Sequence, residues 1–144
     1  MTIAAILKHK GSQVTTVALG ATVAEVAATL TRHRIGAAPV VDADGNLAGI
    51  VSERDIVICL ATHGAQALEM TASAIMTGSP QVAALATTEA EAMEMMTNGR
   101  FRHLPVVAGD RMIGLISIGD VVKARLMEQE TEVTSLRAYV AGVG

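Results

Sequence analysis

The sequence predicts an α+β fold made of two similar βαββα halves, with helical segments at both ends. A strand, turn, strand and helix start follow one another over residues 35–57, and the same order returns over 101–122. Pro39 and Pro105 are 66 positions apart, whereas the later part of the pattern repeats at 65. The missing residue falls in the turn, where a loop can shorten without moving either buried strand face.

Composition indicates a globular chain with an aliphatic core. The 144 residues are 51% hydrophobic but only 1% aromatic, so Val, Ile, Leu, Ala and Met must fill the interior. A half of about 65 residues buries little surface by itself, and we expect the two halves to share one core. The net charge of -3 argues against nucleic acid or an anionic membrane surface as a partner.

Membrane insertion and export are not expected. No stretch offers the ~20 consecutive apolar residues that a spanning helix requires. Residues 1–10 place their charges after a short apolar run, which is the reverse of a secretory signal. We therefore predict a cytoplasmic protein. Cys59 is the only cysteine, and its apolar helical surroundings predict a small core residue.

The predicted elements of the two halves correspond in order. Thr22 is the N-cap candidate of a helix that ends near Arg34, and Thr88 has the same place in the second half. A shorter helix over residues 2–10 comes first, and residues 14–17 form a short β-type segment. A second helix follows each strand pair, so that each half has the order βαββα.

Domain boundaries follow from the repeat. Residues 1–68 are assigned to the first repeat with its N-terminal helix, and residues 69–127 to the second. Residues 128–144 are predicted to be a C-terminal helical extension with one apolar edge, which would pack on the body or on a second subunit.

A Ser-x-x-Asp motif lies where a strand gives way to a helix in each half, at Ser52 to Asp55 and at Ser117 to Asp120. This is the pattern of a capping box, in which the serine oxygen accepts a backbone N–H and the acid favours the helix start. The same acid can instead accept the two vicinal hydroxyls of a ribose. Both interpretations stay open, because the serine can cap the helix while the aspartate faces outward.

The ordered set of apolar helix, Pro-Val-Val, turn, Gly-(Ile/Leu)-(Val/Ile)-Ser-x-x-Asp and helix occurs twice over residues 11–127. It resembles a tandem of CBS domains. The resemblance implies two repeats that pack through their sheets with pseudo-twofold symmetry and bind adenosine-containing ligands in clefts between them. It also implies frequent homodimerisation. AMP, ATP, NAD and S-adenosylmethionine are the ligands of this class, and no metal is expected for the fold.

On this resemblance, Asp55 and Asp120 would bind ribose in two related sites, with Ser52 and Ser117 fixing them or contacting phosphate. Thr16 would lie near the base or the ribose. The segments around the two prolines would wall the adenine and contact its edge through backbone groups. Those segments contribute Ile35, Gly36, Ala37, Ala38, Pro39, Leu104 and Pro105.

Phosphate groups need cations, and here the two halves differ. Two of the candidate cations stand where the first half has Gly36 and Ala37, so we expect the two sites to differ in affinity or in ligand. The hydroxyl of Thr16 likewise has no counterpart in the second half, where the equivalent residue is Val82. The alternative for each arginine is a solvated surface charge. The candidates are Arg54, Arg100, Arg102 and His103.

The sequence holds no recognisable catalytic constellation. The four histidines lack zinc-ligand spacing, and neither a Walker loop nor a nucleophile elbow is present. We expect a module without catalysis of its own that senses an adenosine-containing ligand. The alternatives are a purely structural dimerisation or interaction protein and the regulatory subunit of a separate enzyme or transporter.

Overall fold

The computed structural model describes residues 1–142 and has the predicted mixed α+β architecture. Between α3 and α4 lies one 3-10 helix, Gly64–Glu69. The elements in chain order are α1 (Ile3–Lys10), β1 (Val17–Ala18), α2 (Val23–His33), β2 (Ala37–Val41), β3 (Leu47–Ser52), α3 (Glu53–His63), α4 (Ala72–Ile75), β4 (Thr77–Gly78), α5 (Glu89–Gly99), β5 (His103–Ala108), β6 (Arg111–Ser117) and α6 (Ile118–Val140).

The predicted threonine caps are present. Thr22 Oγ1 accepts the Glu25 N–H at 3.2 Å, and Thr88 Oγ1 accepts the Glu91 N–H at 3.1 Å. Each hydroxyl satisfies a backbone donor that has no partner inside its helix. Arg34, at the end of α2, has the left-handed conformation with φ 54°.

Each half has its own β-sheet. The first has the strand order β1-β2-β3-β4, in which β1 and β2 are parallel and the other pairs antiparallel. The second sheet consists of the antiparallel pair β5 and β6. A parallel bridge between Ala83 and Val106 stands where Val17 pairs with Val40 in the first half. Because β1 begins at Val17, the predicted β-type segment was placed too early, and Thr16 is an exposed residue before the strand.

The expectation of one shared core was wrong, because the buried residues form two clusters. Each half buries its own strands and helices, with Val26 among the fully buried residues of the first cluster and Met96 almost fully buried in the second. The helix α1 precedes the first half in sequence, yet its Ile3, Ile6 and Leu7 belong to the second cluster. Conversely, Ala72 of α4 belongs to the first.

The two halves therefore exchange their leading segments. The Ile3 N–H donates to the Thr87 carbonyl at 2.8 Å, and the equivalent Ala72 N–H donates to the Ala21 carbonyl at 2.7 Å. The β4 strand after α4 then pairs with β3 of the first half. This reciprocal exchange gives each small half the apolar surface that it lacks alone, and it gives the molecule its pseudo-twofold arrangement.

Two glycines, 65 positions apart, permit the exchange. A Cβ on Gly49 would lie 2.6 Å from the Thr77 carbonyl oxygen, and a Cβ on Gly114 would lie 2.8 Å from Leu7 Cδ2. Both distances are too short for a real side chain, so the exchanged segments lie directly on the strands.

The predicted C-terminal extension is a continuation of α6, which runs unbroken from Ile118 to Val140. Residues 143–144 of that extension lie outside the described residues. The last three turns of the helix are largely exposed, and their apolar side chains include Val133, Leu136 and Val140.

Candidate functional site

A cleft of about 660 Å³ opens between the two halves. Its first wall comes from the start of β2, the end of β3 and the first turn of α3. Its second wall comes from β4 with the residues after it and from the chain that links α5 to β5. The lining residues are Gly36, Ala37, Ile50, Ser52, Glu53, Arg54, Asp55, Thr77, Ser79, Pro80, Gln81, Gly99, Arg100, Phe101, Arg102 and His103.

Asp55 both caps α3 and lines this cleft. The Asp55 N–H donates to Ser52 Oγ at 3.3 Å, while the Ser52 N–H and hydroxyl donate to Asp55 Oδ2 at 2.8 and 3.0 Å. None of the hydrogen bonds from residues 1–142 ends on Asp55 Oδ1. The capping box therefore fixes the carboxylate while leaving one oxygen free to accept ligand hydroxyls.

The cleft carries three exposed guanidinium groups, those of Arg54, Arg100 and Arg102. Among the described residues, none of the three lies within ion-pair distance of a carboxylate. Arg100 follows α5 in the left-handed conformation, with φ 56°. Unpaired guanidinium groups present several N–H donors to an anion, which suits a phosphate group.

His103 packs across the boundary between the halves. A Cβ on Gly36 would lie 3.7 Å from His103 Cε1 and 3.4 Å from Glu53 Oε1. Burial lowers the pKa of His103 below its ordinary value, and the charge of Lys10 lowers it further. The carboxylates of Asp120 and Glu53 oppose this change, and Arg102 adds a small lowering effect. The folded protein therefore favours the neutral imidazole more than the unfolded chain does.

The second acid of the repeat, Asp120, lies in a smaller cleft of about 250 Å³ and is paired with a cation. Lys10 Nζ donates to Asp120 Oδ2 at 2.6 Å and to the Leu115 carbonyl at 2.7 Å. Ser117 supplies the capping box, because its N–H donates to Asp120 Oδ2 at 2.8 Å. Burial tends to raise the pKa of Asp120, but the hydrogen bonds from Lys10 and Ser117 and the charge of Lys10 outweigh it and hold that pKa below its ordinary value.

Half of the predicted site residues line the larger cleft, and the others lie elsewhere. The cleft contains Gly36, Ala37, Ser52, Arg54, Asp55, Arg100, Arg102 and His103. Four residues at the two prolines are core residues, because both faces of β2 and β5 are covered there; they are Ala38, Pro39, Leu104 and Pro105. Ile35 packs on the first core cluster, and Thr16 is exposed outside the lining. Ser117 and Asp120 belong to the other half of the repeat, beside the smaller cleft.

Sequence analysis missed the part of the cleft built by residues 77–81. Those residues fall in the range assigned to the second repeat, but β4 joins the first sheet and carries Thr77 to the cleft. The pairing is long-range, so local patterning contained no signal for it. Phe101, the only phenylalanine of the chain, begins the second segment that was expected to wall the adenine, and it lines the cleft.

Two further features concern metal binding and membrane insertion. Within residues 1–142, His, Cys, Asp and Glu side chains do not gather in any group of three or more that could hold a metal ion. Over the same residues, no helix combines the length and the apolar character needed to cross a bilayer.

Comparisons with known proteins place these observations in a family. A family model described as CBS domain matches residues 9–62 and 72–127. The CBS domain-containing protein CBSX3, mitochondrial, of Arabidopsis thaliana is 36% identical over 125 residues, which are 84% of this chain and 61% of that protein. The chain thus spans less than two thirds of the length of that relative.

Solved structures agree with the fold. The CBS-domain containing protein ATU1752 from Agrobacterium tumefaciens has a TM-score of 0.84 and 45% sequence identity, covering 87% of this chain and 99% of that one. The structure of CBSX2 in complex with AMP has a TM-score of 0.72 and 27% identity, covering 83% of this chain and 92% of that one.

Proposed function

This chain belongs to the CBS domain family, and from that premise we propose that it is a regulatory module that binds an adenosine-containing nucleotide and catalyses no reaction itself. The ligand lies in the larger cleft. One observation carries the proposal: Asp55 lines the cleft with Oδ1 free of hydrogen bonds from residues 1–142, beside three unpaired guanidinium groups. A carboxylate that accepts a sugar diol and cations that bind phosphate are the two complements of a nucleotide.

The chemistry of the cleft fits the two ends of such a ligand. Asp55 sits at the start of α3, where the helix dipole favours anions, and the guanidinium of the adjacent Arg54 lines the same cleft. Phe101 and Ile50 supply apolar surface against which a purine can pack. CBSX2, whose structure contains AMP, supports this ligand class at 27% identity. AMP, ATP, NAD and S-adenosylmethionine all remain candidates.

Regulation follows from the position of the cleft. Gly36 and Asp55 come from the first half, whereas Arg100 and His103 come from the second. A ligand that contacts both halves favours one arrangement of the two, because its binding free energy differs between arrangements. We propose that a partner such as an enzyme or a transporter responds to that arrangement. The cytoplasmic location stays a prediction.

A thermal-melt panel tests the nucleotide proposal. AMP, ATP, NAD and S-adenosylmethionine are compared with adenine-free controls, GMP and CMP, at matched concentration. A ligand at 100 times its Kd stabilises the native state by about 2.7 kcal/mol, and the melting temperature rises accordingly. At least one adenosine-containing ligand is expected to raise the melting temperature while GMP and CMP do not. Failure of every adenosine-containing ligand to do so would contradict the proposal.

A second candidate function is a dimerisation or interaction protein, and the exposed apolar side chains of α3 and α6 favour it. Val57 is 63% exposed and Ile58 is 54% exposed, and on α6 Val122 and Leu126 are exposed to a similar degree. Val57 and Val122 are equivalent positions of the repeat. Large exposed apolar patches on a folded protein mark interaction sites.

Sedimentation of the Val57→Glu and Val122→Glu variants tests that second function. A dimer built on these helices should dissociate in both variants but not in Leu85→Glu, which alters an exposed leucine away from α3 and α6. If both helix variants keep the mass of the wild type, α3 and α6 do not form the interface.

A further inference from the structure

The two acids of the repeat occupy equivalent positions but have different neighbours. Asp55 and Asp120 are both the third residue of their helices, and each forms a capping box with the preceding serine. The second donor to Asp55 Oδ2 is the Ser52 hydroxyl, a neutral group of the same motif. The second donor to Asp120 Oδ2 is Lys10, a cation from a segment 110 residues away.

The fold fixes Lys10 at this position. It is the last residue of α1, whose Ile3, Ile6 and Leu7 are buried in the second core cluster. The Gly11 N–H donates to the Leu7 carbonyl at 2.7 Å and closes the helix end. Because α1 is packed in this way, the Lys10 side chain needs no movement of the backbone to reach both Asp120 and the Leu115 carbonyl.

The first cleft has no counterpart of this lysine. The exchanged segments correspond at a spacing of 69, as the matched contacts of Leu7 on Gly114 and Met76 on Gly49 show. By the same spacing, Ser79 is the repeat equivalent of Lys10, and Ser79 lines the larger cleft. A short neutral side chain thus stands where the second half has a long cationic one.

An ammonium group at 2.6 Å forms an ion pair with the Asp120 carboxylate and competes with ligand hydroxyls for Asp120 Oδ2, where Asp55 has only neutral donors. The smaller cleft beside it lies between α1 and α6 and is not the repeat equivalent of the larger cleft, because only Lys10 and Asp120 of its lining correspond to lining residues of the larger cleft. A nucleotide would have to break the contacts of Lys10 with Asp120 and with the Leu115 carbonyl before it could bind there, and this cost lowers its affinity.

We propose that Lys10 is a built-in occupant of the ribose position at Asp120, which closes the second repeat to nucleotide and leaves the Asp55 cleft as the single site of the chain. This inference rests on the proposed function, since it concerns which of two equivalent acids takes the ligand. Lys10 is thereby a specificity-determining residue that acts by exclusion.

Equilibrium dialysis with AMP and, separately, with ATP tests the proposal on the full chain. The wild type is expected to bind one equivalent per chain, and Lys10→Met is expected to bind two. The double variant with Asp120→Asn should return to one. Lys8→Met is the matched control, because Lys8 is an exposed lysine of the same helix outside both clefts, and it should bind one equivalent.

The outcomes separate this inference from the proposed function. Two equivalents on the wild type, or one on Lys10→Met, overturn the role of Lys10 while leaving nucleotide binding intact. A third outcome is that the wild type binds neither probe, that Lys10→Met binds one equivalent, and that the double variant with Asp120→Asn binds none. The Asp55 cleft is then not the site, and the role of Lys10 stands. If neither protein binds, both proposals fail. Lys10→Gln, which keeps a donor for the Leu115 carbonyl, replaces Lys10→Met if the latter does not fold.

Discussion

Ser52 and Asp55 hold each other in a reciprocal hydrogen-bond pair at the start of α3. The Asp55 N–H donates to Ser52 Oγ at 3.3 Å, and the Ser52 N–H donates to Asp55 Oδ2 at 2.8 Å. The pair stabilises the helix start and, by the same contacts, holds the carboxylate still in the wall of the cleft. Capping and ligand binding are therefore compatible roles of one residue, and they can be separated by substitution.

The first prediction concerns Asp55→Asn. The amide oxygen still accepts the Ser52 N–H, so the fold should persist, but the negative charge that strengthens a bond to ribose hydroxyls is lost. Hydrogen bonds to charged groups contribute about 1.5–3 kcal/mol, so nucleotide affinity should fall about tenfold or more. Isothermal titration calorimetry measures the change.

Glu91→Ala is the matched control for that variant. Glu91 closes the capping box of α5 with Thr88 and lies outside the cleft lining. Loss of a cap costs about 1 kcal/mol of stability, which Glu91→Ala should show without any change in affinity. An unchanged affinity in Asp55→Asn would mean that Asp55 serves the helix alone.

The second prediction concerns phosphate binding by Arg100. Arg100→Ala should weaken ATP binding about tenfold, because one charge-assisted contact to phosphate is removed. Binding of adenosine, which has no phosphate, should not change. Arg34→Ala is the control, since Arg34 has the same left-handed conformation at the equivalent helix end and does not line the cleft. Equal losses for ATP and adenosine would instead indicate a general disturbance of the cleft.

The third prediction concerns the pH dependence of stability. Burial lowers the pKa of His103 below its ordinary value of 6.5, with Lys10 adding to this effect and Asp120 and Glu53 opposing it. The unfolded chain then binds more protons than the folded one just below pH 6.5, so the stability that His103 contributes is complete above that pH and is lost as the pH falls. Urea unfolding from pH 7.5 to pH 5 should show a shallower fall for His103→Gln.

His33→Gln provides the comparison for this measurement, because His33 is an exposed residue at the end of α2. A fall in stability that is identical in the wild type and in His103→Gln would show that His103 does not cause it. Lys10→Met offers an independent check, since removing that cation should raise the pKa of His103.

The fourth prediction concerns the exchanged segments. Gly49→Ala places a methyl group 2.6 Å from the Thr77 carbonyl oxygen and from Met76 Sδ, so β4 must move away from β3. Overpacking of this kind costs about 1–3 kcal/mol of stability. Gly20→Ala, whose Cβ would meet no atom within 4 Å, should be close to neutral. Denaturant midpoints compare the two variants, and an equally small effect for Gly49→Ala would show that β4 adjusts freely.

Local patterns sufficed to predict most of the fold. Threonine caps, the apolar spacing of α2 and the repeat of the strand pair are all short-range features, and the structure has each of them. The exchange of α1 and α4 could not be predicted, because a helix that precedes one half carries no mark of packing on the other. The expectation of a single core failed for the same reason.

The site was predicted only in part, because some of its residues are brought together by long-range packing. The motif Ser-x-x-Asp indicated Asp55, and the difference in cations between the halves indicated Arg100 and Arg102 as phosphate ligands. Their place in the same cleft as Asp55 comes from the structure. The side chains of Leu104 and Pro105 are buried and do not line the larger cleft, because both faces of β5 are covered at these positions, which depends on packing that local patterns do not show. The pairing of Lys10 with Asp120 depends on the packing of α1, and neither Ser-x-x-Asp motif indicates it.

Amide NMR of the isotope-labelled protein tests the central claim most directly. Titration with AMP or ATP should shift the resonances of Gly36, Asp55, Ser79, Arg100 and His103, which line the larger cleft. The resonances of Lys10, Asp120 and Lys123 beside the smaller cleft should move much less. Shifts that centre on Asp120, or an absence of shifts with every adenosine-containing ligand, would contradict the account.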